Sequence, residues 1–204
     1  MRKTYTFDDV LLVPKYSALE SRSQVSLQSS LDDEKSLRLP VISSPMDTVT
    51  ETSMAVAMHS AGGLGVIHRY NTIEEQSALV GESYYAGVDN VAAAVGMTGD
   101  YMQRSEHLVK AGASILCVDV AHGDHIMMRD CLFNLKSNFD VHIMAGNVAT
   151  LDAFERLSDW GADSIRVGIG GGSICSTRIV TGHGIPTLQS VFECSRTSYD
   201  TKII

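Results

Sequence analysis

Cysteine is scarce in this chain, and none of it is spaced to pair. The 204 residues hold four, Cys117, Cys131, Cys175 and Cys194. No CxxC spacing occurs, so neither a thiolate zinc site nor a dithiol redox motif is encoded. Thiols used this way fit a reducing, cytoplasmic setting. A basic run is also missing: net charge is −8 and the pI is near 5.3, which excludes a nucleic-acid surface. No apolar stretch approaches the roughly 18–20 residues of a membrane span. Met1–Lys15 lacks the apolar core of a signal peptide. No two histidines stand four apart, so His68 and His122 are not read as metal ligands. Asp124, beside His122 and His125, reads as a helix N-cap. What remains is ordinary globular material, 44% hydrophobic and 20% charged, enough for one domain with a sizeable core.

Short apolar, β-branched runs recur along the chain at a mean step of roughly 25 residues, the length of a strand plus a crossover helix. They are Leu39–Ser43, Leu64–Ile67, Val91–Val95, Ile115–Val120, Val141–Ala145 and Ile165–Val167, with a last one at Lys202–Ile204. Amphipathic segments lie between them, including Thr52–Ser60, Asp100–Ala111 and Leu151–Asp159. Each of these three is followed by a glycine, Gly62, Gly112 or Gly161, as helix C-termini commonly are. Repeated βα units predict a parallel sheet covered by helices. Polar residues stand just after several strands: Asp47, His68, Asp119, His122, Asn147 and Cys175. A rim fed by many successive strands predicts a TIM (β/α)₈ barrel rather than an open doubly wound sheet with one switch point. About six βα units and the start of a seventh strand are expected, an incomplete barrel that another segment or another chain would close. Residues 1–204 are read as a single domain, with an N-terminal extension over 1–38 and the partial barrel over 39–204.

The strongest local signal is Val167–Thr177, VGIGGGSICST. Glycines let backbone approach a phosphate or ion closely, and successive backbone N–H groups form an anion-binding concavity. A thiol in the same loop predicts a phosphorylated substrate held beside a nucleophile.

Several motifs together resemble one family, the IMP dehydrogenase / GMP reductase family. They are Thr6–Pro14 (TFDDVLLVP), Ser43–Glu51 (SSPMDTVTE), Gly62–His68 (GGLGVIH), Val118–Gly123 (VDVAHG), Ala145–Val148 (AGNV) and Val167–Arg178. The resemblance implies a (β/α)₈ barrel, a homotetramer and chemistry on purine nucleoside monophosphates. It implies that Cys175 attacks C2 of the purine and that Thr177 acts beside the reacting centre. Ser44, Met46, Asn147, Arg166 and Ser173 match substrate-binding positions, with Ser173 at the phosphate. Asp119 matches the carboxylate that hydrogen-bonds a cofactor ribose. The backbone carbonyls of Gly170, Gly172 and Cys175 match ligands of a monovalent cation, K+.

Two reactions share this pattern. One oxidises IMP to XMP with NAD; the other reduces GMP to IMP with NADPH. Thr6–Pro14, Met46–Glu51, Gly62–His68 and Met102–Ala113 resemble the dehydrogenase, whereas Glu20–Leu27 resembles the reductase. The CBS modules that most dehydrogenases insert after the second barrel strand are absent. The loop reads GGG where GPG is commoner, Ser176 stands for a usual threonine, and Thr181–Pro186 differs from most dehydrogenases. The dehydrogenase is the preferred expectation, with the reductase or a non-catalytic nucleotide-binding fragment as alternatives. Residues 1–204 alone are expected to lack turnover.

Overall fold

The first segment to leave solvent is a short hairpin, not the chain start. The computed structural model describes residues 3–204; Met1 and Arg2, part of the expected extension, lie outside the described residues. Residues 3–30 are exposed throughout, Leu11 and Leu12 almost completely. Strands β1 (Ser29–Ser30) and β2 (Ser36–Leu37) then pair antiparallel. They bury Leu31 and Leu37 against the first core cluster described below. The expected extension therefore divides into an exposed arm and a packed hairpin.

From there strand and helix alternate. The order is β3 (Ile42–Ser43), α1 (Thr52–Ala61), β4 (Leu64–Ile67), α2 (Ile73–Tyr85), β5 (Ala92–Val95), α3 (Tyr101–Lys110) and β6 (Ile115–Asp119). It continues with α4 (Ile126–Asn138), β7 (His142–Val148), α5 (Leu151–Asp159), β8 (Ser164–Val167), α6 (Thr177–Thr181), α7 (Thr187–Cys194) and β9 (Lys202–Ile203). β3 to β9 form one parallel sheet whose spatial order is the chain order. A doubly wound sheet reverses direction at a switch point; this one does not, and it curls into an incomplete (β/α)₈ barrel. Among the described residues no helix is long and apolar enough to cross a membrane.

Strand alternation sorts the core into two layers. Leu64, Val66, Ala92, Ala94, Ile115, Cys117 and Met144 face the concave side, where Leu31 and Leu37 join them. Ala93, Val95, Leu116, Val118, Ile143, Ala145 and Ile165 face outward, onto Leu108 of α3, Leu132 and Leu135 of α4, and Phe154 and Leu157 of α5. Each fully buried large side chain contributes about 1.5–3 kcal/mol relative to exposure.

Local chemistry sets the boundaries. Thr72 caps α2 in a reciprocal capping box with Glu75, and Thr150 caps α5 by accepting from the Ala153 N–H at 3.3 Å. Gly62 ends α1 in the left-handed region at φ 93°, where a side chain would be strained. The expected strand at Leu39–Ser43 shortens to two residues because Pro40 has no N–H to give the ladder, and Leu39 bonds instead to the Gly62 carbonyl at 2.9 Å. The cap of α4 is His125, whose Nδ1 accepts from the Met127 N–H at 3.1 Å. Asp124, expected to cap it, instead takes two hydrogen bonds from Arg156, at 2.8 and 2.6 Å.

Candidate functional site: a thiol loop on the strand rim

The C-terminal ends of the parallel strands bring several of the expected residues to one rim. Asp119 is the last residue of β6, Asn147 lies in β7 and Arg166 in β8. Ser44 and Met46 follow β3. Arg166 Nη1 donates to Asp119 Oδ1, both side chains retaining one-fifth of their exposure. The same Nη1 stands 3.8 Å from Cys117 Sγ, beneath the pair. Asn147 Nδ2 donates to the Gly168 carbonyl at 2.9 Å, and its backbone N–H to Val120 at 2.9 Å. It thereby fastens the ends of β6, β7 and the segment leaving β8.

That segment is the glycine loop. Gly170 is buried with φ 78°, a conformation open to glycine and strained for a side chain. The Cys175 N–H donates to the Gly172 carbonyl at 3.1 Å, closing the turn. Cys175 is half-buried, while Ser173 and Ile174 beside it are exposed.

The four thiols separate sharply. Burial pushes Cys117 up to about 11 and Cys131 to about 12. Cys194 is likewise raised to about 11, by burial first and Glu193 second. Cys175 alone moves down. The Thr177 hydroxyl and then the Thr177 N–H lower it most, with smaller help from Arg178 and the Gly170 N–H. Hydrogen bonds to the charged form favour thiolate, and thiolate is the nucleophile.

A cleft of about 590 Å³ lies beside the loop. His122 and Asp124 after β6, Thr150 at the start of α5, Thr177, and His183 and Ile185 line it among others. Thr177 is therefore on its wall; Cys175 is not among its lining residues, nor are Ser44 and Met46. A second, polar cleft of about 350 Å³ sits at the opposite end of the strands, by Arg38, His59 and Asp89. Among the described residues no three His, Cys, Asp or Glu side chains are grouped to hold a metal.

Sequence reasoning passed over two residues that organise this rim. Arg69, directly after His68, donates from Nη2 to the Asp119 carbonyl at 3.2 Å and packs its guanidinium over Tyr70, 5.5 Å from the ring centroid. Thr50, fully buried, donates from Oγ1 to the Ser44 carbonyl at 2.7 Å, with Ser43 Oγ at 2.9 Å. It pins the loop that carries Ser44 and Met46. The signal for Arg69 was a cation next to a strand end; for Thr50 there was only its place in TVTE. His68 is a buried structural residue, with Nε2 3.3 Å from Glu51 and Nδ1 accepting from the Tyr70 N–H at 3.1 Å.

Comparison with known proteins adds to this geometry. A profile of the IMP dehydrogenase / GMP reductase domain matches residues 4–204. An inosine-5'-monophosphate dehydrogenase of Nitrosopumilus maritimus is 32% identical, covering 96% of this chain and 67% of its own length. That match extends over 319 residues, so the relative carries residues inside the matched span that this chain lacks. Enzymes of the same name are similar in Cryptosporidium parvum, 35% identical over 95% of this chain and 58% of the relative, and in Borreliella burgdorferi, 32% identical over 99% and 62%. The chain thus spans about three-fifths to two-thirds of the length of the curated relatives it matches.

Proposed function

The chain belongs to the IMP dehydrogenase / GMP reductase family, and from that premise we propose that it carries the nucleophile and part of the nucleotide site of an enzyme oxidising IMP to XMP. The observation behind this reading is the contrast among the thiols: only the one on the rim loop has its thiolate favoured.

In this reading the Cys175 thiolate forms a bond to C2 of the purine. The C2–H bond then breaks as hydride departs, leaving a thioimidate. Water attacks C2, the C–S bond breaks, XMP leaves and the thiol recovers its proton. Splitting one difficult exchange into two steps is the use of a covalent nucleophile. Thr177 holds the sulfur as thiolate. Ser44 and Met46 take the nucleoside, on a loop fixed by Thr50, and Ser173 with the loop amides takes the phosphate.

NAD, when bound, would accept the hydride. Asp119 suits its ribose: Arg166 engages Oδ1, and the second carboxylate oxygen is the acceptor assigned to a hydroxyl. A potassium ion would be held by the carbonyl oxygens of Gly170, Gly172 and Cys175. The Gly172 oxygen accepts the Cys175 N–H and retains a second lone pair for a cation.

The test is direct comparison of NAD reduction with IMP against NADPH oxidation with GMP, on the protein together with whatever segment or chain completes its barrel. IMP-dependent NAD reduction, lost in Cys175→Ala by at least about a thousandfold, supports the proposal. GMP-dependent NADPH oxidation would assign the reductase instead. Activity retained in Cys175→Ala would remove the nucleophile from the account.

A further inference from the structure

A second chemically distinctive cluster lies at the far end of the strands from the thiol loop. Asp32, in the hairpin turn, places Oδ2 2.5 Å from His142 Nδ1. His142 Nε2 is 2.7 Å from Ser164 Oγ. The three come from distant parts of the chain: the β1–β2 turn, the first residue of β7 and the first residue of β8. His142 and Ser164 are buried. Their order, carboxylate to imidazole to hydroxyl, is that of a nucleophile triad. Ser164 is nevertheless fully buried, and neither cleft is lined by any of the three. The cluster therefore serves structure, not hydrolysis.

We infer that Asp32, His142 and Ser164 form a proton-sensitive latch that holds the hairpin over the N-terminal end of the strands and loosens it on acidification. With a neutral ring every partner is satisfied: Nδ1–H donates to Asp32, and Nε2 accepts from the Ser164 hydroxyl. Adding a proton at Nε2 turns that acceptor into a donor. Ser164 must then redirect its own hydroxyl hydrogen within a fully buried site, which is costly.

The surroundings agree. The hairpin presents Asp32 and Lys35, the latter with Nζ 4.0 Å from Asp32 Oδ2. The residue before β8 is Asp163, which Lys136 of α4 holds at 2.8 Å and which accepts the Ile143 N–H at 2.7 Å. β6 offers apolar Ile115 as the register partner of His142, and β9 offers Lys202 as that of Ser164. Burial is the largest influence on His142 and lowers its pKa, outweighing Asp32 and Asp163, which favour the cation. Burial alone would raise Asp32, but hydrogen bonds from His142 and from the Lys35 and Glu34 N–H groups hold it below the usual value.

The sign follows from linkage. Once the hairpin lifts, His142 meets water and titrates near its ordinary value of about 6.5; latched, it titrates lower. Between those two values the open form binds one more proton. The latched-to-open ratio therefore falls by about tenfold per pH unit of acidification within that window.

Hydrogen exchange of the residue 29–37 amides, corrected for intrinsic rates, measures this between about pH 7.5 and 5. Imidazole NMR reports the His142 midpoint in the same samples. Expected are protection falling by about tenfold per unit below about pH 6.5 and a His142 midpoint below that of a free histidine. Ser164→Ala, which removes the donor to Nε2, should move the midpoint up; Asp32→Asn, which removes the facing charge, should move it down. Hairpin protection independent of pH, or a wild-type midpoint at or above the free value, overturns the latch. Neither readout requires nucleotide, so failure here leaves the catalytic reading untouched, and the reverse.

Discussion

Four thiols of one residue type are set apart by where each backbone position falls. Cys117 sits on the concave face of β6, and Cys131 and Cys194 on helix faces turned to the core. Burial withholds the charged form from all three. Cys175 stands on a turn where the Thr177 hydroxyl, then the Thr177 N–H, and to a lesser degree Arg178 and the Gly170 N–H, favour its thiolate. Alkylation of Cys175 should therefore show a rate midpoint below the ordinary thiol value of about 8.5, with the other three unreactive in the folded protein. Thr177→Val should raise that midpoint, because it deletes the leading hydrogen bond; an unchanged midpoint would mean that Thr177 does not set the thiol's acidity. This residue was legible in the sequence because glycines and a lone cysteine share one short loop. Arg69 and Thr50 were not, because their roles run through carbonyl oxygens contributed by β6 and by the Ser44 loop. A backbone acceptor leaves no mark in a sequence.

At the scale of elements, periodicity and punctuation carried most of the fold. β4 and α5 fall where the apolar run and the amphipathic segment predict them, and the glycine after each of α1, α3 and α5 has positive φ. Misses have identifiable causes. Pro40 shortens β3, and β7 runs on through Val148, past the apolar stretch, with Gly146 and Val148 buried and Asn147 half-buried. α6 and α7 went unassigned, since α6 has only five residues, largely exposed, and no apolar stripe. Close approach of elements gives a sharper test than boundaries do. A Cβ at Gly65 would lie 2.7 Å from the Ala55 Cα, where β4 passes α1. That neighbour is backbone and cannot rotate away. Gly65→Ala should cost about 1–3 kcal/mol, read as a lower urea midpoint at constant m-value. A neutral result would show that α1 can slide off β4.

Over the whole molecule, one curled sheet separates two kinds of chemistry. Its C-terminal rim gathers Asp119, Asn147, Arg166 and the thiol loop; its N-terminal end is floored by the hairpin and the Asp32–His142–Ser164 cluster. The barrel class was readable because βα units repeat and polar residues recur after successive strands. The floor was not, because contact between Asp32 and His142 spans 110 residues and arises only when the sheet curls. β3 and β9 each keep one open edge in this sheet, and closing the ring is what would bring the Ser44 loop round to the thiol loop. The most direct test of the account is to expose the protein, with whatever completes its barrel, to a 6-chloropurine ribonucleotide and to map the adduct by peptide mass spectrometry. The account predicts a single modification on Cys175, slowed by competing IMP and absent in Cys175→Ala. A label on Cys117, Cys131 or Cys194, or one on Cys175 that IMP does not slow, would contradict it.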